Sequence, residues 1–411
     1  MIRQTLTVLV LITTVVASFS QYNPIKGCIV DASDNCIPNT ILTSLPFLRI
    51  APDARGGAMG DVGIAMDPDA NSFHYNAANL AFIKDNASLS ATYTPWLRDL
   101  NLNDVYLAYL SGYKRLDKLQ TVGFAFRYFS LGEINFVDNN GGPTGTGKPR
   151  EFEIGAAYAR KLGDNFSASL SGKFLYSNLA SGQRVMGIDI NSATSFAADF
   201  SLAYKKPIKL SGYNAQWGLG VTVSNLGAKV TYTNNSDRDF LPTNLGIGAS
   251  LKLDFDSYNS IAFGLDINKL LTPTPCSPTM LDENGVEVPN PCFDTDSNGK
   301  ADWREKSLFD GILGSFSDAQ GGFSEELSEF YYSIGTEYWY DKQFAVRAGY
   351  YYESPLKGDR QFLTVGFGVK YSVFGLNLSY LVPTNQRRSP LDNTLRFGMN
   401  FDLGTFNEQV E

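Results

Sequence analysis

From residue 86 to residue 403, apolar residues alternate with polar or very small ones in segment after segment. In the segment 395–403, five apolar residues alternate with Arg396, Gly398, Asn400 and Asp402. Successive side chains of a strand point to opposite faces, so this pattern predicts strands with one apolar face. A soluble sandwich can produce the same alternation, and the period alone does not decide between the two classes.

The length of the segments separates those classes. Most have 11–14 residues, whereas a soluble strand has about five or six and a tilted membrane-crossing strand needs about 9–11. Fourteen segments are present, and an even number is typical of bacterial outer-membrane barrels. They cover residues 86–97, 103–115, 119–131, 151–162, 165–178, 194–206, 213–226, 241–253, 258–270, 328–341, 343–354, 360–373, 375–384 and 393–403.

The connections between segments give a second, independent indication. Even-numbered connections are short and most odd-numbered ones are long; 271–327 is the longest, and only 98–102 is short on that side. A barrel with short periplasmic turns and long outer loops requires this parity, and a sandwich does not. We therefore predict an all-β fold, a 14-stranded antiparallel transmembrane β-barrel over residues 86–403, followed by a tail at 404–411.

The composition agrees with this class. Hydrophobic residues make up 43% of the chain and the mean hydropathy is −0.15, which is too low for a helical membrane protein but fits a barrel with one polar face. The net charge of −8 argues against nucleic acid as a partner.

The chain before the barrel has two parts. Residues 1–20 are typical of a secretory signal peptide, with Arg3 ahead of a short apolar stretch. Residues 21–85 do not alternate, and Asp53 is predicted to cap a short helix across 54–66. The inward face of the strands is rich in Gly, Ala and Ser, so we expect 21–85 to plug the lumen.

Four cysteines form two local pairs in the sequence, Cys28 with Cys36 and Cys276 with Cys292. Four cysteines allow three pairings, but export to an oxidising compartment favours disulfides, and we expect the local pairing. The spacing does not fit a zinc site, and no histidine lies near either pair in the sequence.

The most specific local motif lies within the loop 271–327. Residues 294–305 fit the twelve-residue calcium-loop pattern, with a glycine at position 6 for the sharp turn. We expect a structural Ca²⁺ here; the alternative is a solvated acidic turn. A helix from Asp302 to Phe316 should follow. The expected ligands are Asp294, Asp296, Asn298, Lys300 through its backbone carbonyl, Asp302 and Glu305.

Two outer loops carry apolar residues that a solvated loop does not need. One stripe recurs at helical spacing after the calcium motif, and a second group lies in the loop 179–193. Such a stripe usually packs on its own barrel; the alternative is an exposed face that binds a partner. The candidate partner-binding residues are Val185, Met186, Ile188, Phe309, Ile312, Leu313 and Phe316.

Signals for catalysis are weak. His74 is the single histidine, and it lies beside aromatic residues in the N-terminal segment, where a structural role is expected. The sequence has no second histidine and no nucleophile elbow, so it offers little support for a hydrolase. We therefore expect no enzyme activity.

Two motifs of the N-terminal segment resemble a known family. Residues 53–65 (DARGGAMGDVGIA) and 69–82 (DANSFHYNAANLAF) are similar to the N-terminal motifs of the FadL-like outer-membrane barrels. The second motif usually contains Asn-Pro-Ala, and this chain has Asn76-Ala77-Ala78. Within that superfamily, the mature chain most resembles the PorV family (also called LptO) of the type IX secretion system.

The resemblance implies a binding and shuttling protein. Such proteins accept secreted proteins, through their C-terminal signal domains, as these leave the outer-membrane translocon, and carry them to a surface attachment complex. The expected partners are therefore the translocon, the secreted proteins and the attachment complex, with membrane lipid or lipopolysaccharide around the barrel. The wider superfamily implies an alternative, a transporter of long-chain fatty acids or other hydrophobic compounds. A third interpretation, lipopolysaccharide deacylation, follows from the family's other name and lacks a catalytic constellation.

Overall fold

In a computed structural model, fourteen strands form one closed antiparallel barrel, as the sequence predicts. The structure describes residues 39–97, 102–137, 142–185, 187–234, 238–276, 279–281, 287–290, 292–385 and 393–403. The first and last strands pair to close the barrel, from Ser88 opposite Asp402 to Tyr93 opposite Phe397. The barrel strands are β1 (Ala87–Pro95), β2 (Val105–Arg115), β3 (Gln120–Leu131), β4 (Arg150–Lys161), β5 (Phe166–Asn178), β6 (Ala193–Leu210), β7 (Tyr213–Gly227), β8 (Asn244–Asp254), β9 (Asn259–Leu270), β10 (Phe330–Tyr340), β11 (Phe344–Tyr352), β12 (Gln361–Tyr371), β13 (Phe374–Pro383) and β14 (Leu395–Asp402).

Predicted and observed strands agree in number and order but differ at their ends. β6 has 18 residues and continues to Leu210, past the end predicted at 206. Leu210 pairs with Tyr213, so only residues 211 and 212 form the turn. The prediction stopped too early because backbone pairing continues where the apolar alternation has ended.

The strands present the two faces that the alternation predicts. On β12, Leu363, Val365 and Phe367 are exposed on the outside of the barrel, and Thr364 between them is buried. Outward apolar side chains of this kind contact lipid in an outer-membrane barrel.

Short helices and hairpins occupy the N-terminal segment and the long loops. The helices are α1 (Ala54–Gly57), α2 (Ser72–Tyr75), α3 (Asp302–Glu305), α4 (Leu308–Gly314) and α5 (Phe323–Ser328), with 3₁₀ helices at Pro46–Arg49 and Ala77–Phe82. The loop hairpins pair Ile134–Val137 with Pro143–Gly147, Arg184–Val185 with Ile188–Asp189, and Thr279–Leu281 with Glu287–Pro289. Within the described residues, no helix is long and apolar enough to span a membrane.

The N-terminal segment crosses the barrel from the long-loop end to the short-turn end. Asn39 donates its backbone N–H at 3.0 Å to the carbonyl oxygen of Leu356, which lies in the connection between β11 and β12. At the other end, Arg115 Nη1 donates to the carbonyl oxygen of Lys84 at 2.6 Å. We call the described residues 39–85 the plug.

The helix predicted across 54–66 is wrong in its extent. Asp53 caps its start as predicted, because its Oδ2 accepts the backbone N–H of Gly56 at 2.8 Å. The helix ends at Gly57, and the φ values of 69° and 64° at Gly60 and Asp61 prevent it from continuing to residue 66. The sharp turn lets Gly60 lie against β11, where a Cβ would be 2.6 Å from the backbone nitrogen of Tyr350.

Candidate functional site

Glycines of the barrel wall are in direct contact with the plug. A Cβ on Gly349 would lie 2.0 Å from the backbone carbon of Met59, and one on Gly366 would lie 2.5 Å from Ala58 Cβ. The small residues of the inward face are therefore the points where the wall makes room for the plug.

Buried charges of the plug and the wall pair with one another. Arg55 binds Glu337 of β10 through two nitrogens, at 2.8 and 2.9 Å, and Asp69 at 3.0 Å. Arg347 of β11 donates to the same Glu337 carboxylate at 2.6 Å. One wall carboxylate thus neutralises a plug cation and a wall cation together, and removing it would leave both uncompensated.

The single histidine is held by hydrogen bonding within the lumen. His74 Nδ1 lies 2.7 Å from Arg127 Nη2. A guanidinium only donates, so Nδ1 accepts and the neutral ring carries its proton on Nε2.

A small chamber remains inside the filled lumen. Its volume is about 80 Å³, and polar side chains, among them Arg49, Asp61, Lys173 and Asp266, contribute to its lining. A chamber of this size holds a few water molecules. The charged lining makes it a poor site for a hydrocarbon, because a buried charge needs polar partners.

At the long-loop end, a second ionic network ties the plug to the outer loops. Lys269, at the end of β9, contacts Glu329. Lys357 lies 3.0 Å from Glu329 and 2.5 Å from Glu325. Asn39 Nδ2 donates to Glu325 at 3.0 Å, so the start of the plug belongs to this network. The sequence motifs carried no signal for these residues, whose pairing depends on how distant segments meet.

Glu353 joins the plug to the connection between β11 and β12. Its carboxylate accepts hydrogen bonds from Arg49 and Arg360, both at 2.7 Å. Burial raises the pKa of this carboxyl, but the two guanidinium groups have the larger effect and lower the pKa to about 2. Glu353 is therefore charged and paired at neutral pH.

The long loop between β9 and β10 is closed by a disulfide. Cys276 and Cys292 are bonded, with Cα atoms 6.0 Å apart, as the local pairing predicts. The other expected pair, Cys28 and Cys36, lies outside the described residues. Cys276 packs in a small buried cluster with Ala301 and Trp303, so the disulfide and this cluster hold the loop together.

The acidic loop 294–305 gathers its expected calcium ligands around one turn. Asn298 Nδ2 donates to Asp296 at 3.0 Å and to Glu305 at 2.8 Å, and the backbone N–H of Lys300 donates to Asn298 Oδ1 at 2.8 Å. Three carboxylates offer oxygens that lie within 4.8 Å of one another, those of Asp294, Asp296 and Asp302.

The helix predicted from Asp302 to Phe316 is wrong in its continuity. α3 ends at Glu305, and Lys306 has φ −48° and ψ 139°. Ser307 then caps α4, because its side chain accepts the backbone N–H of Asp310. A serine that starts a new helix in this way competes with continuation of the previous one.

The apolar stripe of α4 is largely exposed. Phe309 and Leu313 are 69% and 73% exposed, Phe316 is also exposed, and Ile312 is half-buried. The expectation that the stripe packs on its own barrel is therefore wrong for most of it. The reason is that α4 turns its Gly311 side inward, where a Cβ would lie 2.7 Å from the Phe240 ring.

The second group of candidate partner-binding residues lies at a loop hairpin. Ile188 is exposed there, and Val185 pairs with it across the hairpin. Met186 lies outside the described residues.

Comparison with known proteins identifies the family. Residues 32–277 match the family model described as type IX secretion system protein PorV. Among curated proteins, no significant match is found.

Three solved structures with a similar fold are distant in sequence. The Pseudomonas putida toluene transporter TodX is 12% identical over 88% of this chain and 98% of its own, with a TM-score of 0.44. The Ralstonia pickettii toluene transporter TbuX is 10% identical over 85% of this chain and 96% of its own, with a TM-score of 0.45. A Pseudomonas aeruginosa FadL homologue is 10% identical over 89% of this chain and 99% of its own, with a TM-score of 0.41.

The family match covers more than half of the 411 residues and includes most of the plug and the first nine strands. The chain therefore belongs to the PorV family of type IX secretion system proteins, and its barrel is integral to the bacterial outer membrane.

Proposed function

We propose that this protein receives secreted proteins, through their C-terminal signal domains, as they leave the type IX translocon, and shuttles them to the surface attachment complex. One observation carries the proposal: the lumen is filled by the plug, whereas an apolar face is exposed on an outer loop. Phe309, Leu313 and Phe316 form most of that face, and a partner that covers them would remove apolar surface from water. Ile312 borders the face, and we assign Val185, Met186 and Ile188 to the same role. The proposed role is binding and not catalysis.

The alternative function, transport of fatty acids or other hydrophobic compounds, needs an apolar binding pocket. Two spaces inside the barrel have volumes of about 80 and 230 Å³, and charged groups contribute to the lining of both. Passage would also require separating buried ion pairs such as Arg55 with Glu337, which is costly. These features favour the shuttle over the transporter.

A deletion strain distinguishes the two functions. Without the protein, we expect secreted proteins to accumulate in the periplasm or in the translocon, as measured by fractionating the cells. Normal secretion together with lost uptake of hydrophobic compounds would instead favour transport. Purifying the tagged protein should also bring down the translocon, the attachment complex and secreted proteins, and their absence would contradict the shuttle.

We further propose that the acidic loop 294–305 binds a structural Ca²⁺. The oxygens of Asp294, Asp296 and Asp302 are close enough to share one ion. Asn298 and Glu305 already lie beside them, and the carbonyl of Lys300 would complete the set. The ion would draw the loop together next to the disulfide and so stiffen the outer loop that precedes α4.

Calorimetry with calcium tests this site. We expect binding with a dissociation constant of about 10⁻⁴–10⁻³ M, typical of extracellular modules, and a rise in melting temperature. The variant Asp294→Asn with Asp296→Asn should abolish both effects. Asp164→Asn, in an exposed turn at the opposite end of the barrel, should leave both unchanged. An unchanged melting temperature at millimolar calcium would contradict the proposed calcium site.

A further inference from the structure

A cleft on the outer face, about 550 Å³ in volume, lies beside the acidic loop. The plug, the connection between β7 and β8, and the loop after the disulfide each supply part of its wall. We call it the outer cleft; the residues that matter here are Leu42, Lys229, Arg238, Lys300, Arg304 and Glu305.

Positive charge is in excess in the outer cleft. Four of these six residues are cationic and only Glu305 is acidic, although the whole chain carries a net charge of −8. Arg304 is paired with Asp239 at 3.1 Å. Among the described residues, Lys229 and Arg238 form no ion pair.

Lys229 directs its ammonium group at backbone carbonyls. Its Nζ donates to the carbonyl oxygens of Arg304 and Lys306, at 2.5 and 3.1 Å. Burial, and then the nearby Arg238 guanidinium, lower the pKa of Lys229, while the carboxylates of Asp239 and Glu305 oppose this shift only in part. An anion placed in the cleft would relieve this repulsion between like charges.

The wall of the outer cleft is held in place before any ligand arrives. The disulfide between Cys276 and Cys292 closes one side, and the buried Trp303 packs against Cys276. Leu42 and Phe293 supply apolar surface next to the charges. A preformed wall costs less free energy on binding than one that must be ordered, and this one offers an apolar contact together with cationic groups.

The position of the outer cleft favours a peptide over a lipid headgroup. Leu42 belongs to the plug, and its neighbour Ile41 is buried. Ser44 donates its backbone N–H to the carbonyl oxygen of Phe240 at 2.8 Å, which keeps this part of the plug at the long-loop end. The cleft is thus built partly from a segment enclosed by the barrel, and not from the outward face that contacts lipid.

We propose that the outer cleft binds an acidic peptide segment of a secreted protein, with a carboxylate at Arg238 and an apolar side chain against Leu42. The inference rests on the proposed function and names the chemistry by which one segment of the cargo is recognised. A generally acidic surface around a local cationic cleft would also repel acidic segments everywhere else.

Binding measurements on charge-reversed variants test the proposed role of the outer cleft. The full-length protein in detergent, at fixed calcium, is titrated with two fluorescent probes: the C-terminal signal domain of a secreted protein from the same bacterium, and a blocked ten-residue peptide of alternating Glu and Leu. The variant Arg238→Glu should weaken binding of both probes by about tenfold or more. The control, Lys148→Glu, reverses one exposed charge on another outer loop and should change binding by less than about twofold.

The possible outcomes distinguish a failure of the inference about the outer cleft from a failure of the proposed function. If either probe binds the cleft variant as tightly as the unchanged protein, the inference is overturned. If inorganic phosphate displaces the peptide at equal concentration, the cleft is an anion site of another kind, and the peptide assignment is also overturned. If the peptide needs the cleft but the signal domain does not bind at all, the proposed function fails while the cleft remains an acidic-peptide site.

Discussion

Charged and apolar side chains have different surroundings in the plugged lumen and on the outer face. In the lumen, Glu337 is shared by two guanidinium groups, and wall glycines touch the plug backbone. On the outer face, Phe309 and Leu313 are exposed, and Lys229 donates only to carbonyl oxygens. In the lumen, opposite charges of the plug and the wall pair with one another, whereas the outer face keeps groups that a second molecule could cover or pair with.

This contrast distinguishes the residues that hold the barrel closed from those that recognise a partner. Exposed apolar surface and uncompensated charge are rarely retained without use. Substitutions in the lumen should therefore lower stability and leave recognition intact, and substitutions on the outer face should do the reverse.

The largest effect is expected at Glu337. Replacing it by Gln leaves Arg55 and Arg347 buried without their shared counter-charge, and the free energy of unfolding should fall by about 3–5 kcal/mol. The melting temperature in detergent measures this loss, and conductance in planar bilayers reports whether the plug leaves the lumen. Glu133→Gln, which removes an exposed carboxylate paired with Lys148, is the control and should have little effect. An unchanged melting temperature in E337Q would show that the plug is held by other contacts.

Glu353 predicts a dependence of stability on pH. Its folded-state pKa of about 2 lies below the ordinary 4.5, so its pairing stabilises the fold fully above about pH 5 and this gain is lost as pH falls toward 2. The pairing should contribute about 3 kcal/mol at pH 7. Glu353→Gln should therefore melt well below the unchanged protein at pH 7, and the gap between the two melting temperatures should narrow below pH 4 and close near pH 2. A gap that does not narrow would contradict this reading of the ion pairs.

A smaller effect is expected from one methyl group at Gly349. A Cβ there would meet the Met59 backbone, and the shift needed should cost about 1–3 kcal/mol. Gly172→Ala is the matched control, because a Cβ at that strand glycine meets nothing within 4 Å. Equal melting temperatures for the two variants would mean that the plug can move away from the wall without cost.

The smallest change in stability is expected on α4. Phe309→Ser with Leu313→Ser alters exposed side chains and should change the free energy of unfolding by no more than about 0.5 kcal/mol. The amount of secreted protein that copurifies should nevertheless fall. Leu116→Ser with Leu162→Ser, which removes exposed apolar side chains at the short-turn end, is the control. If both pairs behave alike, α4 has no special part in recognition.

Local patterns were sufficient for much of the molecule. Alternation and loop parity predicted the fourteen strands, Asp53 was correctly predicted as a helix cap, and the spacing of Cys276 and Cys292 predicted their disulfide. The helices predicted across 54–66 and from Asp302 to Phe316 were too long. The left-handed turn at Gly60 and Asp61 prevents the first helix from continuing, and the new cap at Ser307 separates the second into two helices.

Other features have no local signal. Arg49 and Glu353 are 304 residues apart in the chain, and the outer cleft combines Leu42, Arg238 and Lys300 from three separate segments. No spacing rule relates such residues, because what brings them together is the path of the plug through the barrel.

The sequence by itself determined the membrane-barrel class, the strand number, the acidic loop and the apolar residues of α4. Periodicity and motif spacing depend on backbone geometry over a few residues, and that information is present in any single segment. Only the tertiary structure decided that the plug starts at the outer end, that α4 leaves Phe309 and Leu313 exposed, and that cations surround the outer cleft. These features depend on the free energy of contacts between distant segments, which exists only after the barrel has closed around its plug.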